Sequence, residues 1–224
     1  MCGRFTLTAP GKVAEQFHVR KKIDLSPRYN IAPGQQVAAV RTKGLMQNEL
    51  VLMRWGLIPS RVREEKIGYR LINARAETVL EKPSFRAAID RRRCLLPADG
   101  FYEWKQIPGR KMKQPYFIRL KNRRLFAIAG LWETWRDPES GRLIQTCTIV
   151  TTAANTMLAG LHDRMPAIID SGRYGLWLDL NKPGHMVRDL LKPYDPYKMT
   201  AHPVSGMCND PKNDAPGCVR KVGG

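Results

Sequence analysis

Short apolar segments recur along this chain, some alternating with polar residues and some continuous, and both patterns are typical of β-strands. The first segment alternates: it is residues 2–8, where Phe5 and Leu7 are the apolar positions. Further apolar segments bounded by polar turns predict a hairpin and several more strands, at residues 37–40 and 49–55 around a polar turn at 43–48, at 94–105 (a strand, a turn and a second strand), and at 116–120, 125–135, 143–151 and 200–204.

Helical spacing is limited to short segments. Val13 and Phe17 lie four residues apart and predict a helix within residues 12–19. Ser84 is the expected N-cap of a helix over residues 84–93. Further short helices are predicted at 155–161, 173–180 and 185–191.

Turns and loops complete the predicted organisation. Pro33-Gly34 predicts a type II turn, and residues 60–70, with charges of both signs, predict an exposed loop. Residues 207–224 form a polar C-terminal tail rich in proline and glycine, which we expect to be loosely ordered. Without an internal repeat or a linker, residues 1–206 predict a single α+β domain, with a mainly antiparallel, curved or barrel-like sheet flanked by short helices.

Composition narrows the class of protein. A chain of 224 residues makes one domain, or at most two. Its longest uncharged apolar run, residues 125–132, is shorter than the ~20 residues that a membrane span needs. No charged leader precedes an apolar segment, and the five cysteines show no CxxC spacing. We therefore expect a reduced, cytoplasmic protein that does not bind membranes.

The charge balance indicates a polyanionic partner. Lysine and arginine total 38 against 20 acidic residues, so the formal net charge is +18. Nucleic acid is the expected partner, bound through its phosphates in a salt-dependent manner, so the protein would be nucleoid-associated when bound to DNA. The densest basic block, residues 105–124, has eight lysines and arginines and no acid. The alternative interpretation is that this block forms the solvated rim of a hairpin. Nucleic-acid binding and a solvated rim are compatible with each other.

Cys2 is a candidate nucleophile because of its position. Removal of Met1 would leave Cys2 with a thiol and a free α-amine on adjacent carbons. Such a 1,2-aminothiol condenses with an aldehyde to an imine, and the sulfur then closes a five-membered thiazolidine ring. Both groups titrate near neutrality in unperturbed peptides. The alternative is a small, inert, buried cysteine beside an unprocessed methionine.

Four polar residues lie among apolar neighbours that would hold them rigidly, namely Asn73, Glu103, His162 and Arg164. Tyr102 and Trp104 flank Glu103, and such neighbours would desolvate its carboxylate and raise its pKa. Asn73 and Arg75 share one face of a predicted strand, so both could point into one pocket. A solvent-facing glutamate and a hydrogen-bonded structural histidine remain the alternatives for Glu103 and His162.

The sequence does not support a zinc site, a common hydrolase site or a common nucleotide-binding site. His202, Cys208 and Cys218 lack the spacing of a zinc site. The chain contains no GxSxG, P-loop or GxGxxG motif, so the usual hydrolase and nucleotide-binding signatures are missing.

Seven blocks stand out along the chain, in this order: MCGRF at residues 1–5, RYNIAPG at 28–34, WGL at 55–57, INARAE at 72–77, CLLPADGFYEW at 94–104, LHDRMP at 161–166 and HPVS at 202–205. In this order they resemble the SRAP family, which is named for SOS response-associated peptidases and is now understood as abasic-site crosslinking proteins. Any one block alone would be a weak signal, but together they extend from residue 1 to about 206.

The resemblance implies a catalytic site formed by Cys2, Asn73, Glu103 and His162. Cys2 would condense with the aldehyde of an opened abasic site in single-stranded DNA and form a thiazolidine crosslink. Glu103 would handle protons at the Cys2 amine and assist reversal, His162 would assist sugar ring opening, and Asn73 would hydrogen-bond the adduct. The activity would be lyase-like and the protein a monomer, without cofactor or metal. The implied DNA-binding residues are Arg4, Asn30, Pro33, Gly34, Trp55, Arg75, Trp104 and Arg164.

One departure from the family pattern concerns the base next to the lesion. Some bacterial members carry a tandem tryptophan shortly after the Trp-Gly block, whereas this chain has Ile58-Pro59-Ser60-Arg61-Val62. The basic block at 105–124 could compensate with electrostatic attraction. Two alternative functions remain open: a cysteine peptidase that acts on its own leader or on another protein, and a non-covalent binder of single-stranded nucleic acid.

Overall fold

The computed structural model describes residues 2–21, 23–43, 47–109 and 111–223. Its strands are β1 (Phe5–Leu7), β2 (Arg28–Ile31), β3 (Gln36–Lys43), β4 (Gln47–Trp55), β5 (Asn73–Arg75), β6 (Arg93–Ala98), β7 (Gly100–Lys105), β8 (Gln114–Leu120), β9 (Phe126–Arg136), β10 (Leu143–Ala153), β11 (Arg164–Pro166), β12 (Ile168–Ile169) and β13 (Met199–Pro203). Its α-helices are α1 (Val13–Gln16), α2 (Pro83–Arg91) and α3 (Tyr174–Leu178). Its 3₁₀ segments are Pro10–Lys12, Glu65–Arg70, Ser171–Arg173, Gly184–Leu190, Pro196–Lys198, Gly206–Asn209 and Pro216–Val219.

Five strands close into a barrel at the centre of the fold. They pair in the order β10, β4, β3, β6 and β9, and β9 returns to β10. The pairing is antiparallel except between β10 and β4, which run parallel. Every residue of β6 is buried, because one face fills the barrel and the other is covered by neighbouring elements. Closure satisfies the backbone groups that an open sheet edge would leave unpaired.

A second sheet packs against this barrel in the order β13, β8, β7, β1 and β2. The Phe5 ring meets the Trp55 ring edge-on at 5.3 Å, which joins β1 to the end of β4. The other face of the sheet carries a smaller apolar cluster that includes Tyr102 and Phe117. The sheet therefore has two buried faces, and successive residues of β7 belong to different environments.

The predicted fold class is confirmed: a single α+β domain with mainly antiparallel sheets and few short helices. The predicted hairpin corresponds to β3 and β4, although residues 44–46 of its turn lie outside the described residues. The Pro33-Gly34 turn is confirmed, since Gln35 N donates to Ala32 O at 3.3 Å and Gly34 has φ +86°. Among the described helices, none is long and apolar enough to cross a membrane.

Several helix predictions are wrong in detail. Residues 155–161 form successive turns, and Gly184–Leu190 is a 3₁₀ helix. Helix α2 begins at Pro83, with Lys82 at its N-cap and no capping side chain. Proline is favoured at the first helical position because its missing N–H has no helical partner there. It therefore moves the start of the helix one residue ahead of the predicted Ser84.

The prediction of a loosely ordered tail is also wrong. Asn30 is fully buried, and its Nδ2 donates to the carbonyl oxygens of Cys208 at 3.3 Å, Asp210 at 3.0 Å and Asn213 at 2.7 Å. The Asp214 carboxylate accepts hydrogen bonds from the backbone nitrogen of Asn30 and from Arg28. Polar tail residues thus satisfy buried groups of β2, and this is why a segment of polar composition is ordered.

Candidate active site

Cys2 and Asn73 are brought together where β5 runs beside β10. Asn73 lies next to Ile149 of β10 in the parallel pairing of these strands. Its side-chain Nδ2 donates to the backbone carbonyl of Cys2 at 3.0 Å. A residue distant in sequence therefore fixes the backbone of the N-terminal segment immediately before β1.

The Cys2 side chain is completely buried. Burial raises the pKa of its thiol well above the usual range, and the negative charge of Glu103 raises it further. This effect of Glu103 places its carboxylate within electrostatic reach of the thiol. The thiol is therefore protonated at neutral pH, whereas the sequence alone predicted only that it titrates near neutrality.

Glu103 is the buried acid of the site, with 2 % of its surface exposed. Burial raises the pKa of its carboxyl to about 7, close to the pH at which a group can both donate and accept a proton. Its Oε1 and the Oδ1 of Asn73 are buried oxygens with no hydrogen-bond partner among the described residues. Both are acceptors suited to an amine or hydroxyl donor that enters the site.

His162 approaches the same region from the segment before β11. Its Nδ1 is 3.0 Å from the backbone nitrogen of Arg164 and 2.7 Å from Asp163 Oδ1. These contacts belong to different protonation states, because Nδ1 accepts from Arg164 when unprotonated and donates to Asp163 when protonated. Burial lowers the pKa of His162 and favours the neutral ring. Asp163 and Lys113 act on both His162 and Glu103, which places the two groups in one electrostatic environment.

The two arginines predicted beside the site differ in their partners. Arg75 is exposed, and no carboxylate among the described residues forms an ion pair with it. Arg164 forms a bidentate pair with Glu77 at 2.7 and 2.9 Å and also donates to Thr151 O at 2.7 Å. Arg75 is therefore available to a phosphate, whereas Arg164 reaches one only by sharing or leaving Glu77.

Arg4, Asn30 and Trp104 form a cluster with the tail. Arg4 Nη1 donates to Asn30 Oδ1 at 2.7 Å and to the carbonyl of Cys208, and its guanidinium lies 5.7 Å from the Trp104 ring centre. Trp104 Nε1 donates to Asn209 Oδ1 at 2.8 Å. These contacts support the fold directly. That these residues contact DNA stays a prediction. The burial of Asn30 argues against a direct contact between this residue and DNA.

The Pro33-Gly34 turn is partly exposed and carries an aromatic neighbour that sequence reasoning missed. Tyr69 is 69 % exposed, and its ring edge would lie 3.6 Å from a Cβ placed on Gly34. Trp55 is 1 % exposed, and its backbone carbonyl accepts a hydrogen bond from Gly34 N at 2.7 Å, so it supports the turn from the core. An exposed tyrosine in a predicted loop was the available signal, but only the fold places it beside Gly34.

The basic block at 105–124 divides between two surfaces. Lys113 acts on the site electrostatically, as its effects on Glu103 and His162 show. Arg119 and Arg123 instead line a cavity elsewhere in the molecule. Arg110 of this block, Lys22 of an earlier basic cluster and Met1 lie outside the described residues. Across the described part of the chain, no three His, Cys, Asp or Glu side chains form a group that could hold a metal ion.

Comparison with known proteins gives consistent matches. The family model for SOS response associated peptidase (SRAP) matches residues 1–211. The abasic site processing protein YoqW of Bacillus subtilis (strain 168) is 45% identical over 221 residues, which cover 96% of this chain and 97% of that protein. The abasic site processing protein HMCES of Pongo abelii is 34% identical over 200 residues, covering 76% of this chain and 56% of that protein.

A solved structure supports the same relationship. The crystal structure of a protein from Bacteroides thetaiotaomicron superposes with a TM-score of 0.90 at 29% sequence identity, covering 99% of this chain and 100% of that one. The family model and the relatives extend over nearly the whole chain and include each block that carries the candidate site. The chain therefore belongs to the SOS response associated peptidase (SRAP) family.

Proposed function

We propose that this protein recognises abasic sites in single-stranded DNA and captures them as a thiazolidine crosslink through Cys2 once Met1 is removed, which protects the lesion during the response to DNA damage. The observation that carries the proposal is the burial of the Cys2 thiol beside a carboxyl group whose pKa is near 7. The curated relatives are named as abasic site processing proteins, which supports the same substrate. The strong positive charge supports a nucleic acid partner.

The chemistry needs no oxidant, reductant or metal. An abasic sugar in its open form carries an aldehyde at C1′. The Cys2 amine adds to that carbon, and the resulting carbinolamine loses one water to give an imine. The sulfur then adds to the same carbon, and the thiol proton goes to the nitrogen. Aldehyde and aminothiol thus become a thiazolidine and one water.

Glu103 is suited to move the protons of this sequence. With a pKa near 7, its carboxyl can protonate the leaving hydroxyl and its carboxylate can accept the thiol proton. Asn73 holds the Cys2 carbonyl and so orients the amine and thiol toward one carbon. Neutral His162 can assist sugar ring opening by passing a proton from the C1′ hydroxyl to the ring oxygen.

DNA would be held by charge and by stacking around the site. Arg75 is exposed and able to bind a phosphate, and Arg4 and Arg164 are further candidates whose present partners would have to share them. Pro33, Gly34 and the exposed Tyr69 offer a surface for the base beside the lesion. Tyr69 would supply the aromatic contact that the 58–62 segment lacks.

The thiol itself argues against a peptidase. A cysteine peptidase needs a thiolate whose pKa is depressed by a neighbouring positive charge. Burial and the Glu103 carboxylate have the opposite effect on Cys2. A non-covalent binder would not need a buried carboxyl group beside an N-terminal thiol.

Gel assays with DNA, together with incubation of the protein with a protein substrate, separate the three functions. The protein is incubated with a single-stranded oligonucleotide that contains one abasic site, and with a matched oligonucleotide whose tetrahydrofuran analogue lacks the aldehyde. We expect a heat-stable shifted band in a denaturing gel with the first DNA only. Equal binding of both DNAs in a native gel without a covalent band would overturn the proposal in favour of a simple binder. Cleavage of a protein substrate without a covalent band would favour the peptidase.

A further inference from the structure

A cavity of about 510 Å³ lies on the face of the second sheet opposite the candidate active site. Side chains alternate between the two faces of a strand, and Tyr102 pairs with Phe117 across β7 and β8. Phe117 lines the cavity, whereas Glu103, the next residue of β7 after Tyr102, faces the Cys2 side. The cavity is therefore separate from the residues proposed to form the crosslink.

The walls of the cavity are strongly cationic. Lys12, Arg119, Arg123 and Lys221 line it, and no carboxylate in the described part of the chain forms an ion pair with any of them. Asp99 is the acid among the lining residues, and its oxygens accept hydrogen bonds from Thr6, Thr8 and Ala9. Four positively charged side chains thus line one cavity. Asp99, the acidic residue among the lining residues, already accepts hydrogen bonds from its neighbours.

Two features indicate that these charges are held together at a cost. Burial and the charge of Arg123 lower the pKa of Arg119, so the two guanidinium groups repel each other. Arg123 also has φ +56°, a left-handed backbone conformation that a side chain as large as arginine rarely adopts. Unfavourable backbone geometry that the fold maintains is characteristic of functional positions. An anion between Arg119 and Arg123 would relieve the repulsion.

The rest of the lining includes apolar side chains. Phe117 and Leu125 are buried residues at its edge, and His202 meets the Phe117 ring edge-on at 5.6 Å. His202 donates from Nε2 to Val219 O at 3.0 Å, which fixes the ring in place. A cavity of several hundred Å³ that combines a charged end with an apolar wall has the dimensions of a small-molecule site.

We propose that this cavity binds a nucleoside phosphate, with its phosphate between Arg119 and Arg123 and its sugar and base against Phe117 and Leu125. Arginine favours phosphate because its planar donors match two phosphate oxygens. The ligand can arrive as a free nucleotide or as the phosphorylated end of a nucleic acid strand, since both present the same chemistry. This site is independent of the crosslinking proposed for Cys2.

The test is calorimetric titration of the full chain with thymidine 5′-monophosphate and with thymidine, which lacks the phosphate. We expect only the monophosphate to bind, and the Arg119→Gln/Arg123→Asn variant to bind it at least about tenfold more weakly. Asparagine is chosen at 123 because it tolerates the left-handed conformation. The matched control is Arg86→Gln/Arg91→Gln, which removes two exposed arginines of α2 and should leave the affinity unchanged.

Competition identifies the source of the phosphate. A 5′-phosphorylated oligonucleotide that displaces the monophosphate, when its unphosphorylated form does not, indicates a strand end; no displacement by either indicates a free nucleotide. If the Arg119→Gln/Arg123→Asn variant fails to fold, Lys12→Gln/Lys221→Gln replaces it, because this variant removes two exposed charges of the same cavity. We expect the same weakening of monophosphate binding from it. Equal binding of monophosphate and thymidine, no binding of either, or equal weakening in the α2 control would overturn the proposal.

Discussion

Glu103 and its neighbours Tyr102 and Trp104 lie on one strand but face two different environments. On the barrel side, the Glu103 carboxyl and the Cys2 thiol are buried, and burial raises the pKa of each. On the opposite side, Tyr102 and Trp104 contact the tail, and cations surround a cavity further along the sheet. Burial on one face therefore favours the neutral forms of Glu103 and Cys2, while the other face keeps positive side chains near water.

The difference shows how a single sheet can separate chemistry from stability. Because side chains alternate along a strand, groups one residue apart in sequence experience different dielectric surroundings. We expect changes on the barrel side to affect reaction rates, whereas changes on the tail side should affect the free energy of unfolding and leave those rates unchanged.

The largest effect should follow insertion of one alanine between Met1 and Cys2. The insertion retains the thiol but converts the Cys2 amine into a peptide amide without a basic lone pair. A thiol alone forms only a reversible hemithioacetal with an aldehyde, so the covalent band should fall below detection in a denaturing gel. Cys2→Ser is the control, because it retains the amine and should give a band only with borohydride. A heat-stable crosslink from the insertion variant would exclude the thiazolidine.

Glu103→Gln should slow both crosslinking and its reversal. The substitution retains the shape of the side chain but removes its titrating proton, and general acid–base assistance contributes roughly 10²–10⁴-fold. The measurement is a time course of band formation and release across pH, with Glu64→Gln, an exposed glutamate, as the control. The wild-type profile should bend near pH 7 and the variant profile should not. Unchanged rates in both directions would make Glu103 a structural residue.

The raised pKa of Glu103 should also make stability depend on pH. Between its ordinary value of 4.5 and about 7, the folded protein retains a proton that the unfolded chain has lost. The free energy of unfolding should therefore fall as pH rises through this window, by up to ~3 kcal/mol for such a shift. Denaturant unfolding at pH 5 and pH 8 measures it, and Glu103→Gln should gain stability relative to wild type at pH 8. An identical pH dependence in the variant would contradict the assignment.

On the tail side, Asn30→Ala should destabilise the fold without changing the chemistry. The substitution removes the donor that holds three tail carbonyls, and a buried polar group left without its partner costs about 1–3 kcal/mol. Chemical denaturation and crosslinking rate, measured on the same sample, separate the two effects. If DNA affinity fell while stability stayed constant, Asn30 would be a DNA contact, as the family resemblance predicts.

The smallest effect should come from Arg75→Ala. An exposed arginine that contacts one phosphate contributes about 0.7 to the salt dependence of single-strand binding. Anisotropy titrations over a range of salt should show that loss equally with abasic and undamaged strands. Arg164→Ala should change the slope less, because Glu77 already pairs with this arginine. Loss of lesion binding alone in the Arg75 variant would rule out its phosphate role.

Much of the strand pattern and the composition of the candidate site could be predicted from sequence. Strand prediction succeeded for β8, β9 and β10 because each is a short apolar segment bounded by a polar turn, and that pattern depends on near neighbours in the chain. The helical segments near residues 155 and 185 were too short to show their type, since a single turn has almost no period. Family resemblance, and not periodicity, connected Cys2 with Asn73, Glu103 and His162.

Burial was the property that sequence described least well. Trp55 and Asn30 were expected to contact DNA, yet both lie in the interior of the described structure. The tail was expected to be loose because its composition is polar, but its carbonyls satisfy the Asn30 amide. Whether a polar residue is buried depends on hydrogen-bond partners that can lie more than 170 positions away in the sequence. The composition of the surrounding segment does not identify those partners.

Local residue order was enough to predict the short strands, the excess of positive charge and the residues able to carry aldehyde chemistry. The three-dimensional fold was needed to show that β9 pairs with β10 to close the barrel, that the Cys2 thiol lies within the electrostatic influence of Glu103, and that Lys12 and Lys221, far apart in sequence, line one cationic cavity. The reason is physical: backbone preferences and side-chain alternation act over a few residues, whereas burial and electrostatics depend on distances in space that the whole fold sets.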